Sequence, residues 1–416
     1  MSTKRWLGNA ASVTDLWTVN LSGTVISQTY TITINGKSIT YIAGGSDTVA
    51  IICAALVAAW RVSTIPEFAE LTAAGIGSAG SFTGITATQN VSGRPSIITA
   101  ATGGGATFGI TNTTAATGPN DFTNAQNWST GTAPANSDTL VFDNGSIACC
   151  YNINSSLTGV TVYVNPGYSG TIGLPYINSN GSVTYSEYRT TALTLAGGTA
   201  VINAPNCQQC NLAFGANTTT VRVLATGSRL TSTIPVVLIT GGNGSSALDV
   251  TKGDVGVAYY LGQTATFPTV STGYSTSPPT DANVVLGAGC TLTTVTKNGG
   301  VMTVSASATT ITQDVYGGSI TLTDAMAVTT VNIYAGTCYL NTTGTIATIN
   351  LYGSATLNAD GDPCGKTITN NINCYAPSVT VIDTAKSINA GTLSINSQGT
   401  TSVNVQHGGN VTQVYT

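Results

Sequence analysis

The clearest pattern in the chain lies between Lys297 and Leu357, where a small-residue turn is followed each time by alternating apolar and polar β-formers. Asn298-Gly299-Gly300-Val301-Met302-Thr303-Val304, Tyr316-Gly317-Gly318-Ser319-Ile320-Thr321-Leu322, Tyr334-Ala335-Gly336-Thr337-Cys338-Tyr339-Leu340 and Tyr352-Gly353-Ser354-Ala355-Thr356-Leu357 begin 18 residues apart. A unit this short cannot bury its own apolar face, so a fixed period of this kind predicts stacked rungs that cover one another. The expected fold class is mainly β: a small N-terminal α+β domain followed by a parallel β-helix, or solenoid, with roughly 18-residue rungs. From Val284 to the end the pattern allows about seven rungs at the usual inter-strand spacing.

Earlier in the chain the alternation marks other elements. Trp17–Leu21, Thr29–Ile34 and Ser38–Ile42 read as strands, and Asn35-Gly36 between the last two is a hairpin signal. Ser46 or Asp47 is positioned to cap a helix running to about Val62, with Val49, Ile52, Cys53, Leu56, Val57 and Trp60 on one apolar stripe. Short strands follow at 70–73, 84–88, 96–100 and 107–111. The expected division is an α+β docking module over 1–116, a β-rich connector or solenoid cap over 117–190, and the β-helix over 191–416. Within the last, 241–283 breaks the period between Gly241-Gly242-Asn243-Gly244 and Ser277-Pro278-Pro279, so a protruding excursion is expected there. Its aromatics Tyr259, Tyr260, Phe267 and Tyr274 are the candidate binding residues. Tyr316, Tyr334, Tyr352 and Tyr375 recur at one corner of the rungs and are expected to stack as a scaffold.

Composition sharpens this picture. Only 7% of residues are charged, against about 25% in ordinary domains, so Thr, Ser, Asn and Gly must supply most of the surface. Such flanks suit side-chain ladders and contact with sister subunits, from which a homotrimer is expected. The net charge of -4 with scattered basic residues offers no footprint for nucleic acid. Met1–Asn9 has no apolar run behind its basic residues, and Ala50–Trp60 is too short to span a bilayer. Synthesis in the cytosol without membrane insertion is therefore expected. Nine cysteines, an odd number without framework spacing, agree with that compartment.

The order TxTINGKSITY, SDTVAxxxAALVAAW and PEFAELTA over about residues 20–110 resembles small α+β modules of tailed-phage virion proteins, found in tail, neck and fibre components. The resemblance implies a docking or assembly module, with other virion proteins as partners of residues 1–116. Asn127-Trp128-Ser129, Gly131, Pro134, Asp138 and Phe142 look like the opening of β-helical passengers in surface proteins; a plain hairpin around a buried Trp128 is the alternative.

Candidate chemistry is sparse. His407 is the single histidine, so histidine-based triads and zinc-protease sites lack their parts. Cys207-Gln208-Gln209-Cys210 has metal-ligand spacing, with Cys149-Cys150 as conceivable co-ligands, yet buried thiols between rungs explain both. No cofactor, metal or catalytic residue is assigned. Glycan cleavage by two carboxylates is the enzymatic alternative, with Asp314, Asp324, Asp360, Asp362 and Asp383 in the repeat region. The expected function is therefore a non-enzymatic phage virion component exposed on the particle. The alternatives are a spike that binds or cuts host-surface glycan, and a bacterial surface or filament protein.

Overall fold

The computed structural model describes residues 2–174, 189, 191–228, 234–273, 282–314, 316–395, 404–405 and 413–415. The described residues are 53% strand and 6% helix, and the main body is a parallel β-solenoid of about 10 turns. Two compact units divide the residues: Met1–Trp6, Pro134–Ser146 and Ile153–Thr416 form the solenoid, and Leu7–Ala133 with Ile147–Asn152 form the other.

Two columns of parallel strands build the solenoid. In one, Val284, Met302, Ile320, Cys338, Leu357, Val381 and Val405 stand in successive register, which makes the seven levels expected after Val284. In the other, Val295, Ile311, Val331, Ile349, Ile372 and Leu393 do the same. Because side chains alternate across a strand, the apolar set of every rung points inward while Thr, Ser, Asn and Tyr between them point out. Residues of both files from Val284 to Leu393 are buried. The glycines of the repeated phrase hold the corners: Gly318 has φ +82, and a Cβ there would sit 2.1 Å from the Gly300 carbonyl oxygen. Gly336 repeats this one level on, at φ +77 and 2.3 Å from the Gly318 oxygen. At these two levels the 18-residue spacing is a consequence of strands joined by corners that only glycine fits, and one level on, where Ala355 follows Gly336, the register shifts by a residue.

Three expectations about layout are corrected. The described part of 241–283 is no protrusion, because Ala247–Val250 lies in register between 220–223 and 269–272, and Gly253–Val257 between 237–239 and 282–286. Rungs also begin before residue 191: Thr139–Phe142 and Thr161–Val164 already pair in parallel. The earliest described strand of the solenoid is Thr3–Arg5, laid on 139–141, so the α+β unit is inserted after it instead of occupying 1–116. Lys4 points inward from this edge strand, 4% exposed and 3.7 Å from the Asp138 carboxylate. An inward charge on an edge discourages pairing with foreign strands. Beside it Trp6 is buried against Phe142, which in turn meets Tyr168, at centroid distances of 5.9 and 5.4 Å.

The other unit contains a four-stranded antiparallel sheet, in the order Leu71–Ile76, Gly84–Gln89, Leu16–Ser22 and Thr107–Thr114. A three-stranded one follows the order Lys37–Ile42, Thr29–Ile34 and Ile98–Thr102. Asn35 and Gly36 both take positive φ, as their hairpin turn requires. The helix is Val49–Arg61, and its cap is Thr48, whose hydroxyl accepts from the Ile51 amide. Asp47 is engaged elsewhere, by the Tyr41 hydroxyl and the Gly44 amide. Ile52, Cys53, Leu56, Val57 and Trp60 bury the helix stripe. Asp15, fully buried, collects donors from Trp17 Nε1, the Ser96 and Ala116 amides and Asn112 Nδ2, which ties three separate segments together. Trp128 is core, with its Nε1 donating to Phe122 O at 2.8 Å.

Candidate functional site: an aromatic and amide ladder

Three rungs carry the most regular outward surface of the described residues. Asn332-Ile333-Tyr334, Asn350-Leu351-Tyr352 and Asn373-Cys374-Tyr375 stand one above another, the middle residue inward and the outer two outward. The Tyr334 and Tyr352 rings stack at 4.6 Å and 10°, and Tyr352 and Tyr375 at 4.8 Å and 11°. Alongside them Asn350 Nδ2 donates to Asn332 Oδ1 at 2.9 Å and Asn373 Nδ2 to Asn350 Oδ1 at 2.8 Å. Burial and its two neighbours raise the Tyr352 phenol above its ordinary value.

Tyr316 is not in this stack. It lies in the turn closed by the Gly317 amide on Asp314 O, whereas at 334 and 352 the strand runs through the corner. The asparagines escaped the sequence reading, although the tripeptide Asn-x-Tyr, repeated at 332, 350 and 373, was the signal for them. The stack also limits what the tyrosines can bind. Rings that cover each other present edges and hydroxyls outward, and a sugar stacks on a ring face.

The candidate binding aromatics of 241–283 are not brought to one surface. Phe267 is wholly buried inside the solenoid, its amide on Thr291 O. Tyr259 and Tyr260 are half-buried and meet edge to face at 5.2 Å. Tyr274 lies outside the described residues, as does His407. The loop bearing Tyr259 and Tyr260 is closed by paired bonds of 3.1 Å with Gln263, and Gly262, Gln263 and Thr264 of that loop border a furrow of about 590 Å³ with Gly215, Gly241 and Gly242.

Three acids of the repeat region, Asp360, Asp362 and Asp383, act as acceptors for turns. Asp383, buried, takes the amides of Ser387 and Ile388 and the Ser387 hydroxyl. Asp360 takes the Thr384 hydroxyl and amide, which hold its carboxyl below the usual range, and the Cys364 amide does the same for Asp362. A glycosidase acid needs its pKa raised, the opposite direction. In the bulge 359–365 the Lys366 ammonium donates to the carbonyls of Asp362 and Cys364, occupying the oxygens a cation would use.

All nine cysteines are free, and only Cys364 is exposed. Burial pushes the Cys207 thiol up to about 12 and Cys149 and Cys210 well above their ordinary value, so in the protein as it stands these groups are protonated thiols packed in the core. Among the described residues no three His, Cys, Asp or Glu side chains converge to hold a metal, and no helix is long and apolar enough to cross a membrane.

No protein-family model, curated protein or solved structure matches the chain. The fold assignment therefore rests on the strand register itself.

Proposed function

We propose that this protein is a non-enzymatic structural component of a tailed-phage virion, a decoration, fibre or spike subunit. In this reading it is made in the host cytosol, docks other virion proteins through its α+β unit and exposes the β-helix on the particle as a homotrimer. The observation that carries the reading is the ladder face. It is a regular, length-setting surface built of amides and phenols, and the acids at 360, 362 and 383 are consumed by turns. Free buried thiols support folding in a reducing compartment. The resemblance of residues 20–110 to virion modules supplies the phage context. Gold-labelled antibody against the α+β unit should decorate purified particles, and recovery of the protein only from the host envelope would overturn the assignment.

A second reading, host-glycan binding, draws on the furrow beside Tyr259 and Tyr260. Incubation with host polysaccharide tests it directly. Retention without new reducing ends would make the protein a binder, and new reducing ends would make it a depolymerase.

A further inference from the structure

The ladder face is complete within the chain yet leaves its outer side uncovered. Tyr334 and Tyr375 are 37% and 43% exposed while held in register by their stack. From Ala325 to Ala359 there is no charged residue, so no gatekeeping Lys, Arg, Asp or Glu interrupts the surface over two full rungs. Each ladder amide carries two N–H donors, and the bond to the rung before uses one of them. What remains toward the outside is a row of ring edges, phenol hydroxyls and single amide donors, repeating with the 4.6–4.8 Å rise of the rungs.

Two properties select the occupant. An uncharged face gains nothing from a charged partner, and desolvating it against charges is costly. A row repeating at the rung spacing is matched best by another row with the same spacing, because only then do successive groups meet equivalent groups without strain. A second copy of this chain, parallel and at the same height, meets both conditions.

We infer that the Asn332–Asn350–Asn373 and Tyr334–Tyr352–Tyr375 ladder is the homotypic interface through which copies of this chain associate side by side, Tyr352 facing Tyr352. The inference deepens the homotrimer of the proposed function and rests on it for the existence of an oligomer, though not for its location on the chain. Around an axis parallel to the solenoid, symmetry sets every copy at the same rung height, so the ladders align by construction.

The test uses the full chain with the exposed native thiol removed, Cys364→Ser. Adding Tyr352→Cys and a short bis-maleimide should give covalent oligomers on denaturing gels. Thr321→Cys, on the outward side of the other strand column, should give monomer. Light scattering of each variant before cross-linking confirms that the native mass is kept. Independently, Tyr352→Lys should lower the native mass to that of one chain, while Thr321→Lys leaves it unchanged. A wild-type oligomer that cross-links through Thr321→Cys, or through neither position, overturns the interface while leaving the oligomer intact. A wild-type protein that is monomeric at every concentration overturns the oligomer as well. Unchanged mass in Tyr352→Lys together with lost retention on an insoluble polysaccharide would assign the face to a carbohydrate instead.

Discussion

Lys297 Nζ donates to the carbonyl oxygen of Gly317 at 2.6 Å from inside the solenoid, where the side chain is wholly buried. One rung on, Gln313 occupies the equivalent inward position and donates to the Ala335 carbonyl. Together they satisfy corner carbonyls that the ladder leaves over. Burial drives the Lys297 amine from 10.5 down to about 8, opposed by the nearby Cys338 thiol. Its folded pKa is depressed, so its contribution to stability is least favourable below pH 8 and improves up to about 10.5. Lys297→Met removes the buried charge but leaves the Gly317 carbonyl unpaired, so a net gain of at most about 2 kcal/mol is expected at pH 6.5 in urea unfolding. That gain should shrink steadily between pH 8 and 10, and an advantage independent of pH would refute the cause given.

The thiols act in the reverse sense and outweigh it. Cys207, Cys290, Cys338 and Cys374 of the solenoid are raised to about 11–12 and Cys210 is raised in the same direction, so the stability they contribute is present below about pH 9 and is lost as pH rises toward their folded values. At pH 10 each contributes a loss of about 1.4 kcal/mol, against a gain of similar size per pH unit from the single lysine. Urea midpoints should therefore fall between pH 8 and 10, and a flat or rising profile would contradict the assignment.

Within the ladder, Asn350→Ala removes both inter-rung amide bonds at once. A cost of about 1–2 kcal/mol is expected. Tyr352→Phe keeps the stacking and should cost less than about 0.5 kcal/mol, whereas Tyr352→Ala should cost about 1–2. Equal effects of the Phe and Ala variants would show that the hydroxyl, not the stack, is what matters.

Glycines separate by position. Gly336→Ala places a methyl against the Gly318 oxygen at φ +77 and should destabilise by about 2–4 kcal/mol. Gly365→Ala meets nothing within 4 Å and should change stability by less than about 0.5 kcal/mol. Thermal melts of the pair test whether the corners, and not glycine content as such, fix the rung.

Deleting residues 2–6 uncovers the edge strand Thr139–Phe142 and strips Asp138 of Lys4 and of two bonds from Ser2. Aggregation that grows with concentration is the expected outcome, measured by light scattering. A truncated chain that stays monodisperse with an unchanged melt would show that the strand Thr3–Arg5 protects nothing.

The solenoid was legible where the chemistry repeats. At 298–357 the glycine turns recur every 18 residues and the alternating strands after them step by 18, 18 and 19, so period and register can be read nearly together. Before that, the level-to-level spacing varies, from 18 residues between Val237 and Val255 to 29 between Val255 and Val284, and period alone cannot follow it. The excursion over 241–283 was this irregularity misread: Phe267 turns inward between rungs of unequal length. Thr3–Arg5 was invisible because three polar residues give no alternation, and its partner strand lies beyond a whole unit. In the ladder, the tyrosines stood out by size, while the asparagines looked like turn formers until their register made them neighbours.

That first strand also sets an order in time. Residues 3–5 have no partners until 139–141 exist, so residues 7–133 of the α+β unit are made before the strand that precedes them can be used. Joining two ends across an open chain of that length carries a closure cost that grows with the segment between them. Folding Leu7–Ala133 into a compact body first removes most of that cost. The unit is then both a module of its own and the segment whose folding lets residues 3–5 reach their partners at 139–141.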